Sequence, residues 1–85
     1  MRHTYIIQCA DGTLYTGITT DLTRRVDEHN HSSKGAAYTR AKRPVTLVRS
    51  EASETRSQAS AREYAIKKLT REQKLSLIEK KTNPL

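Results

Sequence analysis

Residues 3 to 9 are rich in β-branched and aromatic side chains (His3, Thr4, Tyr5, Ile6, Ile7), a composition that predicts a strand. Ala10, Asp11 and Gly12 supply turn chemistry, and residues 13 to 18 return as a second strand, so the first quarter of the chain reads as a hairpin. Two registers compete. A two-residue Asp11-Gly12 loop gathers Tyr5, Ile7, Cys9, Leu14, Thr16 and Ile18 on one face, which suits packing. A three-residue loop with Gly12 in the left-handed conformation instead puts Tyr5 and Tyr15 on the same face. A sheet covered by helices on both faces tolerates mixed patterning, so the second register is the one expected here.

Thr19, Thr20 and Asp21 then offer helix N-caps, and Asp21 also suits the positive end of a helix dipole. The helix they open is predicted to run to about Asn30. Within it Leu22, Arg25, Val26 and His29 follow the i, i+3, i+4, i+7 spacing and share a face. Leu22 and Val26 must bury that face against the hairpin, which carries Arg25 and His29 to the rim of the sheet. Residues 31 to 43, a mixture of Ser, Gly and basic residues, predict a mobile loop. Pro44 marks the start of a third strand over 45 to 48. A second helix is predicted from Ser53 to about Thr70, a third, with Leu75 and Ile78 on its apolar side, over 71 to 81, and a frayed tail over 81 to 85. The order β-β-α-β-α-α predicts an α+β domain with a small sheet.

Composition narrows this picture. Eighty-five residues predict a single domain, 1 to 85, with its core over about 3 to 80. A hydrophobic share of 34%, with no Trp or Phe, predicts a thin core of Ile, Leu, Val and Ala and marginal stability. The net charge of +7 is unevenly placed: Lys34, Arg40, Lys42, Arg43 and Arg49 fall in a stretch with no acid. Such a local excess points to a polyanion, with nucleic acid ahead of acidic membrane or protein. Lys34, Tyr38, Arg40, Lys42 and Arg43 are the candidate contacts, Tyr38 to stack on a base and the cations to grip phosphates. The lone Cys9 cannot form an internal disulfide, and no apolar run approaches a bilayer span, so a cytoplasmic protein is expected.

The second helix carries an anomaly. Ala59, Glu63, Ile66 and Leu69 lie along its inward stripe, so a carboxylate stands where an apolar residue is expected. Burying it unpaired would cost several kcal/mol, so Glu63 needs Arg25, a metal ion, or a rim position that touches water. Tyr5, Tyr15, Arg25, His29 and Glu63 are therefore expected to line one concavity where hairpin and helices meet. Phosphodiester hydrolysis needs an activated water, a cation over the developing charge and help at the leaving oxygen. A phenol is a poor base at its ordinary pKa of about 10, but a neighbouring imidazole can take its proton. Arginine suits phosphate by geometry and permanent charge. One glutamate with several waters is enough for Mg2+.

Thr4-Tyr5-Ile6, followed ten residues on by Tyr15-Thr16-Gly17, resembles the paired motif of the GIY-YIG nuclease superfamily. The stretches over 21 to 30, 35 to 40, 43 to 48 and 61 to 70 resemble its small stand-alone bacterial branch. The resemblance covers residues 4 to about 80. The first motif reads Thr-Tyr-Ile where the family has Gly-Ile-Tyr, and Thr16 replaces Ile in the second. The resemblance implies a three-stranded antiparallel sheet flanked by helices, acting on nucleic acid with one divalent ion, Mg2+ or Mn2+, and no small-molecule cofactor. It implies that Tyr5 is the general base or its relay, that Tyr15 orients water and phosphate, and that Gly17 allows close backbone approach. By the same resemblance Arg25 stabilises phosphate, His29 supports the base and Glu63 binds the metal. The function implied is a metal-dependent DNA endonuclease directed by structure or strand rather than by sequence. The alternative is a DNA- or RNA-binding module that keeps the fold without cleaving.

Overall fold

Four consecutive buried residues, Thr4, Tyr5, Ile6 and Ile7, mark a strand covered on both faces, since successive side chains point to opposite sides of a sheet. That strand, β1 (Arg2–Gln8), is the centre of a three-stranded antiparallel sheet with β2 (Leu14–Thr19) on one side and β3 (Thr46–Ser53) on the other. Between β2 and β3 come α1 (Leu22–His31) and the one-turn α2 (Ala37–Arg40); α3 (Arg56–Lys67) and α4 (Arg71–Glu79) follow β3. The computed structural model describes residues 1–32, 34 and 37–79. The tail expected over 81 to 85 lies outside them. The α+β architecture read from the sequence is the one found, with α2 added in the stretch expected as a loop.

The hairpin takes the three-residue loop. Cys9 N–H donates to Thr13 O at 2.8 Å and Gly12 N–H to Cys9 O at 2.9 Å. Gly12 has φ +88°, a left-handed conformation that costs glycine little and other residues more. Tyr5 thus pairs with Gly17 and Ile7 with Tyr15, which sets both tyrosines on one face. On that face Tyr5, Ile7, Cys9 and Val45 form a buried cluster against which Tyr15, Leu22 and Val26 pack. The opposite face carries Thr4, Ile6 and Thr16, and α3 packs there: Thr4 Oγ1 donates to Ala59 O at 3.1 Å, with Ala59 and Ile66 buried. The core is not the purely aliphatic one expected, because Tyr5, His29, Thr4, Thr16 and Thr39 occupy buried places in it.

Several boundaries differ from the sequence reading for local reasons. Asp21 caps α1, accepting from Arg24 N–H at 3.1 Å, as expected. α1 ends at His31, within one residue of the expected end, and the Asn30 side-chain amide clips the approach to β3, donating to Val45 O at 3.1 Å and accepting from Val45 N–H at 2.6 Å. β3 is twice as long as predicted, and Val48 bulges between Leu47, paired with Ile7, and Arg49, paired with Ile6. α3 starts later than predicted, at a capping box formed by Thr55 and Gln58. Behind the sheet Glu51 accepts from Arg49 Nε (2.8 Å) and from Arg62 Nε and Nη2 (2.6 and 3.1 Å). Arg49 also donates to Leu77 O at 3.2 Å, so this cluster joins β3, α3 and α4. No helix among the described residues is long and apolar enough to cross a membrane.

Candidate active site

Because Tyr5 faces Gly17 across the ladder, its ring lies directly on the backbone of β2. A Cβ at position 17 would fall 2.6 Å from Tyr5 Oη and 2.8 Å from Cζ, closer than van der Waals contact permits. Gly17 therefore makes room for a phenol from the neighbouring strand, and the phenolic oxygen is carried out over β2, an edge strand.

His29 meets that oxygen from the last turn of α1. Its side chain is fully buried, with Nε2 2.8 Å from Tyr5 Oη and Nδ1 2.8 Å from Thr39 Oγ1 on α2. The result is a buried polar line, Tyr5–His29–Thr39, drawn from three elements. Tyr15 from β2 sits edge-on to the imidazole, centroids 5.4 Å apart at 65°. Tyr38 stacks on Tyr15 at 5.9 Å and 27°, and Lys42 Nζ lies 4.1 Å over the Tyr38 ring. Lys42 in turn pairs with Asp11 at 3.4 Å.

Charge gathers around the same phenol. Burial pushes the Tyr5 pKa above its ordinary 10.0; the charge of the Arg25 guanidinium acts against that, while Tyr15 and Glu63 push the same way as burial. Burial also holds His29 down, to about 4, with Arg25 beside it in the same sense, so the imidazole is neutral at pH 7. Arg25 stays charged: burial opposes this, but Tyr5 and Glu28 outweigh burial. Its Nη1 donates to Glu28 Oε1 and to Lys34 O, both at 2.9 Å. The proton thus rests on Tyr5 and not on His29. The free protein therefore holds a neutral phenol against a neutral imidazole, a resting pair.

Glu63 sits on α3 with its side chain 24% exposed, paired with Lys67 Nζ at 3.1 Å. Its partner is Lys67, one turn on, and not Arg25. Of the resolutions expected for the anomaly, the structure takes the rim position. Its charge nonetheless reaches Tyr5. Among the described residues no three His, Cys, Asp or Glu side chains stand together. A divalent cation would rest on the Glu63 carboxylate and complete its shell with water and phosphate oxygens, a donor set that suits Mg2+. The Lys67 pair is a partly exposed pair one helical turn apart, worth about 0.3–0.5 kcal/mol.

Tyr5, Tyr15, Gly17 and His29 are thus brought into contact, Arg25 acts on the Tyr5 phenol through its charge, and Glu63, paired with Lys67 on α3, bonds to none of them and reaches the phenol only by its charge. The expected open concavity is not formed among the described residues: Tyr5 is 1% exposed, laid flat on Gly17 and backed by His29. The basic stretch divides. Lys34 and Arg40 are exposed. Tyr38 does not offer the free face expected of it, since Tyr15 stacks on it and Lys42 lies over its ring. Arg43 is turned inward, donating to the carbonyls of His29, Glu28 and Ser32 at the end of α1, a helix-capping role in place of a phosphate contact. Thr39 was not anticipated. A lone threonine in a polar loop has no spacing signal.

Residues 1–76 match the family described as the GIY-YIG catalytic domain. The chain is similar to a UPF0213 protein of Desulfotalea psychrophila, 62% identical over 74 residues that cover 87% of this chain and 67% of that protein. A UPF0213 protein of Halobacterium salinarum is 54% identical over 77 residues, covering 91% of this chain and 99% of that one. The fold is similar to the solution NMR structure of a UPF0213 protein from Bacillus halodurans, with a TM-score of 0.62 and 42% identity over 99% of this chain and 89% of that one. A protein from E. faecalis, also solved by NMR, gives 0.59 and 37% over 99% and 94%.

Proposed function

Since the chain belongs to the GIY-YIG family of nuclease domains, we propose that it is an endonuclease hydrolysing DNA phosphodiester bonds, directed by strand or structure and dependent on Mg2+ or Mn2+. The observation that carries this reading is the Tyr5–His29 hydrogen bond laid over Gly17, with Tyr15 edge-on to the imidazole. Tyr5 takes a proton from the attacking water while passing its own to His29 Nε2. The water oxygen bonds to phosphorus, the bond to the leaving oxygen breaks, and that oxygen takes a proton from solvent as it departs. Tyr15, at the rim, orients water and phosphate, and Arg25 meets the charge that develops on the phosphoryl oxygens. A divalent cation at Glu63 would polarise the phosphate and offset the carboxylate charge that holds the Tyr5 proton in place. Lys34, Arg40 and Lys42, within a chain of net charge +7, supply attraction to the backbone without reading bases. The domain acts as one unit in the cytoplasm, a setting that suits its free, buried Cys9.

A second reading is a DNA- or RNA-binding module that does not cleave. The burial of Tyr5 and the resting position of its proton favour it. Nicking of plasmid and single-stranded DNA with Mg2+ or Mn2+, wild type against Glu63→Ala and Tyr5→Phe, separates the two. Cutting that survives both substitutions removes this site assignment. A wild type that never cuts but binds with a steep salt dependence favours the module.

A further inference from the structure

We infer that Thr39 is a positioning residue, which holds His29 in the tautomer whose Nε2 accepts the Tyr5 hydroxyl proton. Its hydroxyl is fully buried and lies 2.8 Å from His29 Nδ1, opposite the ring nitrogen that faces Tyr5. It comes from α2, whose adjoining residues do other things: Tyr38 stacks on Tyr15 and Arg40 is exposed. A neutral imidazole carries one N–H, so fixing one nitrogen fixes the other.

Two arrangements satisfy the distances. In one, Nδ1–H donates to Thr39 Oγ1 and Tyr5 O–H donates to Nε2. In the other, Thr39 O–H donates to Nδ1 and Nε2–H donates to Tyr5. Tyr5 decides between them. Its hydroxyl is buried, and His29 Nε2 is its only hydrogen-bond partner among the described residues. In the second arrangement the phenol proton is turned away from His29 and has no acceptor, which is costly for a buried hydroxyl. In the first, Tyr5 donates to His29 and His29 to Thr39. Arg25 and Glu28 from α1, Arg43, Tyr5 from β1 and Tyr15 from β2 are the charged and titratable groups around the ring. None of these makes a bond to Nδ1, so Thr39 holds that end.

The consequence for rate rests on the nuclease reading above. With Nδ1–H anchored on Thr39, His29 can receive the Tyr5 proton at Nε2 without turning or exchanging tautomers. Thr39→Val keeps the volume and removes the acceptor, while Thr39→Ser keeps the hydroxyl. Ring-nitrogen NMR of wild type is expected to show His29 protonated at Nδ1, the Val variant a mixture of tautomers, and the Ser variant the wild-type state. Steady-state cutting is expected to lose about 10- to 100-fold in kcat in the Val variant with KM unchanged, recovering with Ser. A Val variant with the wild-type tautomer overturns the inference, as does a Ser variant that fails to restore it if Val does not fold. Wild type that cuts nothing counts against the nuclease reading alone, since the tautomer is measured without DNA.

Discussion

Behind the sheet, on the α3 side, Glu51 is met by two guanidinium groups, and Arg49 goes on to a carbonyl of α4. In front, on the α1 side, Tyr5 is met by an imidazole that is kept neutral and an arginine shared with Glu28 and Lys34. Both clusters tie three elements together, yet they place charge differently. The rear one closes on itself: Arg62 first, then Arg49, hold the Glu51 carboxyl below its usual value, against the effect of burial. The front one leaves like influences in place, with Tyr15 and Glu63 both opposing ionisation of a phenol that burial already disfavours. A network whose charges are answered serves as scaffold. One whose phenol is held neutral by burial and by like charge is a site where, on the nuclease reading, a bound cation or phosphate would change the balance.

The two glutamates test this most sharply. Glu63→Gln should reduce metal-dependent cutting by about 100- to 10,000-fold and barely move the urea midpoint. Glu51→Gln should leave kcat alone and cost about 1–2 kcal/mol at neutral pH. That stability is present above the ordinary carboxylate value and is lost as pH falls through the lowered one, so the Gln variant should lack this acid limb. Equal loss of cutting in both variants would erase the distinction.

His29 gives the next largest effect. Its pKa falls from 6.5 to about 4 on folding, so the unfolded chain takes up a proton there first. Its stabilising contribution is therefore complete above pH 6.5 and drains away toward pH 4, about 3 kcal/mol in all. Urea melts between pH 7 and 4.5 should show that slope in wild type and a flatter one in His29→Gln.

Gly17→Ala comes third. The added methyl must displace the Tyr5 ring, and about 1–3 kcal/mol of destabilisation is expected, with loss of cutting. An alanine variant that melts and cuts like wild type would show that the ring need not rest on β2. Smallest is the contrast within the basic stretch. Arg43→Ala, which uncaps α1, should cost about 1 kcal/mol by thermal melting, whereas Arg40→Ala should leave the melt alone and lower the salt slope of DNA binding by about one.

The front cluster was more legible in the sequence than the rear one. The i to i+7 spacing placed Arg25 and His29 on the helix face that meets the hairpin, and the carboxylate in an apolar stripe singled out Glu63. Gly12 carried the register, since only a left-handed residue closes the three-residue loop. The partner of Glu63 was also available, because Lys67 stands at i+4. What the sequence hid was structure made by polar residues. β3 was read as ending at Val48, yet Arg49 and Glu51 are strand residues whose charges are paired on the covered face. One turn of helix is too short to show a period, so α2 went unseen, and with it Thr39. Arg43 counted as a surface cation because charge is visible in a sequence and the direction of a guanidinium is not.

β1 is bonded along both edges and covered on both faces. Its interior amides are shielded by both neighbouring strands, so deuterium uptake at Tyr5, Ile6 and Ile7 is expected to be among the slowest of the described residues. The side chain to which the nuclease reading assigns the proton step is thus mounted on a segment closed to solvent on both faces, and the lifetime of the Tyr5 backbone hydrogen would gauge how often the domain comes apart.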